Sequence, residues 1–426
     1  LGEIKMPEKK TIKIGYGKGE ISFDVGIDNL ICELKANAID IESTGLNEVV
    51  RALENPIGTQ KLRDIVTKGE TVCIVTSDIT RPCPSYIMLP PVIDELLTAG
   101  ISLDDITIVF GLGSHRPHTE EEKRKLVGDK IYGLVKTIDS DPNDTISFGV
   151  TSRGTPVNIT KSVANADRRV CLGNIEMHYF AGYSGGGKAI MPGVSDRFAI
   201  QANHSRMIEK TSIAGQVDNN GVRLDIEEAA DMCGIDFILN VVLDEDKKIC
   251  KAVAGDHRLA HREGCSFLDS MYKITIPELA DIVIASPGGF PKDINIYQAQ
   301  KALDNAQHAV KKGGIIILAA ECAEGFGEEV FERWLNDAEQ STDLIRRVEK
   351  QFELGGHKAA AIAMVIEKCE VYFVSALKED VAALTFMKPF ANLQEALDKA
   401  LDAKGRDSKI IVMSHAGSTL PVIGNM

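Results

Sequence analysis

The sequence predicts an α/β protein built as two domains, and three observations carry that prediction. At 426 residues the chain is longer than one hydrophobic core normally fills. Short Val- and Ile-rich runs alternate with polar loops and helical stretches, the order expected of sheets wound with helices. The same alternation restarts near Lys273–Glu278. We therefore divide the chain into an N-terminal cofactor-binding α/β domain, 1–274, and a smaller C-terminal α/β domain, 275–426.

In chain order, residues 11–25 alternate apolar and polar around a Gly-Lys-Gly turn and read as a β-hairpin. Thr71–Thr76 reads as a buried strand ending in SDITRPCPS (77–85), and Pro91–Ala99 as a helix. Asp105–Phe110 is a second strand, ending in GLGSHRPHTEEE (111–122). Loops at the carboxyl ends of such strands are where α/β sheets bind ligands. Asp139–Thr145 is turn-rich, Val170–Leu172 a buried strand, Asp225–Gly234 a helix and Phe237–Leu243 a strand. In the second domain, strands at Ala280–Ala285, Gly314–Ala320 and Val371–Ser375 repeat the pattern.

Composition limits the function classes. Hydrophobic content of 44% and charged content of 26% are those of an ordinary globular protein. A net charge of −14 argues against nucleic acid as a partner. No apolar run approaches the roughly 18–20 residues that span a bilayer. LGEIKMPEKK lacks a signal-peptide core, and Leu1 suggests a trimmed start. The nine cysteines are scattered without a CxxC pair, which fits buried small hydrophobes in a reducing cytoplasm.

Chemistry concentrates in Gly173–His204, GNIEMHYFAGYSGGGKAIMPGVSDRFAIQANH. Gly182, Gly185, Gly186 and Gly187 free the backbone for positive φ and close approach to a bound group, and Lys188 emerges directly from that turn. Gly182-x-x-x-x-Gly187-Lys188 satisfies most of a P-loop, but Ala189 replaces the hydroxyl that would hold Mg²⁺, and Pro192 would interrupt the helix a P-loop opens. His115 sits close to a strand end, where a general base would be held rigidly. His118 reads equally as part of a helix start, since Thr119 with Glu122 makes a capping box. Asp78 and Arg81 are either a local ion pair or an orienting carboxylate beside a fork for an anionic group. Gln298 and Lys301 share a helix face after Tyr297, as a solvated face or as binding groups. The histidines show no metal-binding spacing of their own.

Four segments, SDITRPCPS, GSHRPHTEEE, GNIEMHYFAGYSGGGKAIMPG with NH at 203–204, and GGFPKDINIYQAQKA, occur in one order along nearly the whole chain. Together they resemble the nickel-pincer lactate racemase family. The resemblance implies two α/β domains with the active site in the cleft between them. It implies nickel, held by a pyridinium-3,5-bisthiocarboxylic acid mononucleotide linked to Lys188, with His204 as the protein's ligand to the metal. It makes His115 and His178 the acid/base pair, and places Asp78, Arg81, Gly185 and Gly186 around the cofactor. Arg81, Tyr297, Gln298 and Lys301 fall to the substrate, a small 2-hydroxy acid. Cofactor-synthesis proteins would act upstream.

The implied reaction is racemisation or epimerisation by reversible hydride transfer, with lactate as the default substrate. Two bases near neutral pKa suit two enantiomers that present the hydroxyl differently. A single imidazole completing a square of soft sulfur donors suits nickel, and explains the missing multi-histidine motif. Small residues after Lys358, in GGHKAAAIA, would admit malate, an aryl-lactate or a sugar acid if they line the pocket. A non-catalytic protein that binds the nickel or nucleotide cofactor is the alternative from another class. His118, Arg116 and His357 receive no role.

Overall fold

The computed structural model describes residues 8–424; the opening Leu1–Pro7, read above for its start and lack of a signal core, lies outside them. The chain forms two compact units, one of Ile39–Ser270 and one of Leu1–Ala38 with Met271–Met426.

The Ile39–Ser270 unit is a six-stranded sheet in the order Ile249–Gly255, Phe237–Leu243, Arg168–Asn174, Val72–Ser77, Ile106–Gly111, Lys136–Asp139. All neighbours are parallel except Ile249–Gly255, which runs antiparallel to Phe237–Leu243. Val72–Ser77 is buried along nearly its whole length, as a central parallel strand covered on both faces must be. One face of the sheet packs under the helices Gly45–Glu54 and Ser85–Thr98, through Val49, Leu53, Met88, Leu89 and Val92. That second helix starts six residues before the expected Pro91, because the fixed φ of Pro90 and Pro91 is compatible with helix.

The other unit holds a six-stranded, all-parallel sheet in the order Lys388–Phe390, Glu370–Val374, Val310–Ala319, Ala280–Ala285, Ile410–Met413, Leu30–Leu34. The predicted hairpin forms from Lys9–Tyr16 and Gly19–Gly26. The division at 274/275 needs two corrections: the segment up to Ala38 belongs to the C-terminal unit, and the later boundary falls between Ser270 and Met271. Leu30–Leu34 is the edge strand beside Ile410–Met413, and Ile12, Ile14, Phe23 and Val25 of the hairpin share a core with Ile282, Ile315 and Val412. Sequence order hides this because the partner strands lie almost four hundred residues downstream.

All nine cysteines are free, and eight are buried. Among the described residues no helix is long and apolar enough to cross a membrane.

Candidate functional site

The sheet of the Ile39–Ser270 unit grows outward from Val72–Ser77 in both directions, which makes the carboxyl end of that strand a topological switch point. Val72–Ser77 leads into Asp78 and Arg81, its neighbour Ile106–Gly111 into His115, and its other neighbour Arg168–Asn174 into His178 and the glycine turn. Adjacent strands thus deliver the first three candidate loops to one edge.

His115 and Asp78 meet there: Nδ1 of His115 is 3.2 Å from the Asp78 carboxylate, with the Thr80 hydroxyl 3.5 Å from the same nitrogen. Burial alone would raise the Asp78 carboxyl, but the bond and charge of His115, the bond from Thr80 and the charge of Arg81 outweigh it and hold the group at about 2. A carboxylate can only accept, so Nδ1 of His115 carries the proton and Nε2 keeps its lone pair. That is the tautomer of a base. Arg81 stands 3.8 Å from Asp78 with its side chain 53% exposed, leaving most of its fork open to an anion.

His118 is a pin between loops. Its Nδ1 donates to Asp139 at 2.6 Å, and its Nε2 accepts the Ile79 N–H at 3.0 Å. The capping box of Thr119 with Glu122 forms as expected, without the His118 ring. Arg116 turns outward and pairs bidentately with Glu122.

The glycine turn is shaped by its surroundings. Gly182, Gly185 and Gly186 have positive φ as expected, while Gly187 does not. A Cβ on Gly185 would lie 2.7 Å from Asn240 Oδ1, and one on Gly186 2.9 Å from the His261 ring. Asn240 accepts the Gly186 N–H at 2.7 Å. Beneath the turn lies Arg223, fully buried, whose guanidinium donates to the carbonyls of Ala181, Tyr183 and Gly185. The Gly186–Ala189 turn is a short 3-10 helix, separated by Pro192 from the helix Arg197–His204, so no P-loop helix exists.

Phe180, 2% exposed, is where the segment converges. Its ring lies 4.5 Å from His178 and 5.0 Å from His204, both edge-on, and 5.8 Å from the Lys188 ammonium. Among the described residues Lys188 makes no ion pair with a carboxylate. Burial, then the positive charges of Arg223 and Arg81, push its amine well below the ordinary lysine range. His178 is pushed well below the usual imidazole range by burial and then by Lys188, His204, Arg81 and Arg223. Its Nδ1 accepts the Ala181 N–H at 3.2 Å, so the neutral ring carries its proton on Nε2. His115 and His178 are therefore held in opposite tautomers, one poised to take a proton and one to donate a hydrogen bond. His204 ends the helix Arg197–His204, with Nδ1 3.0 Å from Asn203 Oδ1.

Tyr297, Gln298 and Lys301 belong to the other unit, in the first turns of the helix Ile296–Ala306, which Asn295 caps. Gln298 and Lys301 are exposed. Lys358 donates to the Tyr297 carbonyl at 2.6 Å, with its ammonium 4.0 Å above the Tyr297 ring. His357 is buried, accepts the Gly355 N–H, and is pushed down to about 3 by burial and by Lys358. Ala359, Ala360 and Ala361 are buried in the helix Gly356–Ile366.

Phe180, Arg223, Asn240 and Asp139 were missed by sequence reasoning. Arg223, Asn240 and Asp139 act through contacts distant in the chain, while Phe180, two residues from His178, lay inside the stretch where the chemistry concentrates. Among the described residues no cluster of three or more His, Cys, Asp or Glu side chains is placed to hold a metal ion.

Residues 16–215 match the model of the lactate racemase N-terminal domain, and 276–420 that of the lactate racemase C-terminal domain. The chain is 35% identical over 422 residues to a lactate racemase of Thermoanaerobacterium thermosaccharolyticum, covering 96% of this chain and 99% of that protein. It is 33% identical to a lactate racemase of Lactiplantibacillus plantarum, covering 95% and 97%. The structure is similar to that of the lactate racemase apoprotein from T. thermosaccharolyticum, with a TM-score of 0.87 at 34% identity, covering 97% of this chain and 100% of that one. A Thermotoga maritima protein shares the fold at 17% identity and a TM-score of 0.64, covering 89% and 98%.

Proposed function

The chain belongs to the lactate racemase family, and from that premise we propose that it is a cytoplasmic racemase of a 2-hydroxy acid, with lactate the default substrate. The observation that carries the reading is the convergence of Lys188, His178 and His204 on the single ring of Phe180. A lysine that tethers a cofactor and an imidazole that faces its metal must lie near one another, and the contact of both with Phe180 supports that reading.

The residues fit the nickel-pincer mononucleotide. Burial and the neighbouring cations Arg223 and Arg81 lower the Lys188 amine well below the lysine range, which favours the unprotonated, nucleophilic form. Lys188 would hold the group covalently and His204 through its metal. When bound, the group supplies a reversible acceptor for the hydrogen at C2 of the substrate.

The chain's own residues do the rest. Arg81, with an open guanidinium fork, binds the substrate carboxylate and fixes its orientation. His115 takes the hydroxyl proton at Nε2, and Asp78 holds the ring in the right tautomer and stabilises the imidazolium that forms. His178 faces the oxygen from its Nε2–H side. For the opposite enantiomer the two histidines exchange roles, which requires the neutral His178 ring to shift its proton from Nε2 to Nδ1 and give up the bond it accepts from the Ala181 N–H. Tyr297, Gln298 and Lys301 are assigned to substrate binding on the family resemblance.

The test is to produce the protein together with cofactor-synthesis proteins, weigh it intact, and follow conversion of each lactate enantiomer by chiral chromatography. We expect an adduct on Lys188 and equilibration from either side. An adduct-bearing protein inert towards lactate and other 2-hydroxy acids would sink the racemase reading.

A further inference from the structure

We propose that Asn203, itself held by Asp225, is a positioning residue that fixes the tautomer of His204, so that Nε2 is the nitrogen offered to a metal. The inference rests on the reading of His204 as the metal-facing imidazole. Its observation is a chain of hydrogen bonds that runs through three separate segments.

Asp225 is fully buried in the helix Gly221–Cys233. Its carboxylate accepts the hydroxyls of Thr151 and Thr155, each at 2.6 Å. It also accepts the side-chain amide of Asn203 at 2.8 Å, and the same amide nitrogen reaches the Val222 carbonyl at 3.2 Å. A carboxylate and a carbonyl can only accept, so the NH₂ of Asn203 must face them and its Oδ1 must face the other way. Oδ1 lies 3.0 Å from His204 Nδ1. An amide oxygen cannot donate, so the proton of the neutral ring sits on Nδ1 and the lone pair on Nε2.

Nothing in this chain can be reversed cheaply. Turning the Asn203 amide would set its oxygen against the Asp225 carboxylate and its NH₂ against His204. Moving the ring proton would leave two lone pairs facing each other at Nδ1. Thr155, Asn203 and Asp225 have no exposure, so water cannot repair either fault. A ligating histidine commonly has its second nitrogen bonded to such an oxygen, which fixes both its tautomer and its ring orientation.

The test uses the full-length apoprotein carrying nitrogen-15 histidine, with His204 assigned by its loss in His204→Gln. Imidazole nitrogen–proton correlation spectra should show His204 protonated at Nδ1. In Asn203→Leu, which keeps the size but cannot accept, the ring should move to the Nε2–H form that free imidazole favours. A wild-type ring protonated at Nε2, or an unchanged ring in folded Asn203→Leu, overturns the proposal. Should Asn203→Leu fail to fold, the wild-type spectrum still decides. In cofactor-loaded protein, nickel retention against a chelator should fall about 10–100-fold in Asn203→Leu, and equal retention would count against it. If the tautomer is as assigned but loaded wild-type protein contains no nickel, the metal reading has failed and the positioning by Asn203 stands.

Discussion

At the scale of single residues, the site is organised by groups whose protonation is decided by what they touch. Asp78 sits at about 2, far below its ordinary value, because its bonds to His115 and Thr80 outweigh its burial. Its folded pKa is depressed, so it stabilises the protein above the unfolded value near 4 and loses that contribution as pH falls towards 2. Across the working range it stays charged. Asp78→Asn should therefore lower turnover at every pH tested, by about 10²–10⁴-fold, while substrate binding changes less. Turnover close to wild type, measured at saturating lactate, would remove Asp78 from the base. Lys188 makes a complementary prediction. With its amine well below the lysine range, it should be acylated by an amine-directed reagent at neutral pH faster than the exposed lysines, read by peptide mass mapping of the apoprotein. Labelling no faster than surface lysines, at neutral pH and again at a pH where surface lysines are themselves unprotonated, would count against an activated amine.

At the scale of elements, the helix Gly221–Cys233 does more than cover the sheet. Its first two turns carry Arg223, which laces three carbonyls of the glycine turn, and Asp225, which holds Asn203. One helix thus anchors both the Lys188 and the His204 sides of the site. Arg223→Met should leave those carbonyls short of donors, costing on the order of 3 kcal/mol or more and lowering the melting temperature of the Ile39–Ser270 unit by about 6–12 °C. A shift of no more than about 2 °C in a calorimetric scan would show that the turn holds itself. Little of this was legible in the sequence. The strands were, because buried parallel strands read as continuous apolar runs, and Phe237–Leu243 and Ala280–Ala285 lie where expected. His178 and Lys188 stood out beside a glycine turn and His115 at a strand end, while the role of His204 came from the family resemblance. Arg223 and Asp225 did not, since an Arg and an Asp on a helix look like any solvated face until the fold buries them. The tautomers of His115 and His178 were also invisible, since each is set by a partner chosen in three dimensions.

At the scale of the whole molecule, the consequential fact is that the unit containing the C-terminus is assembled from both ends of the chain. Residues up to Ala38 precede the Ile39–Ser270 unit in sequence but belong to the other one. Their hairpin buries Ile12, Ile14, Phe23 and Val25 in the core formed with Ile282, Ile315 and Val412. Each of those side chains is worth about 1.5–3 kcal/mol of burial, enough together to exceed the net stability of many domains. The strand Leu30–Leu34 adds a second cost, because its loss strips pairing from Ile410–Met413. Deleting residues 1–38 should therefore unfold the distant C-terminal unit and spare the adjoining one. Limited proteolysis checks this directly: the truncated protein should lose its C-terminal half to protease while a core of roughly residues 39–270 survives. That surviving core should retain the fast-reacting Lys188 amine, because Phe180, Arg223 and Asn240, which shape its surroundings, lie within it. A truncated protein digested evenly throughout, or one whose N-terminal unit is lost first, would mean that the hairpin supports a different core from the one it packs against.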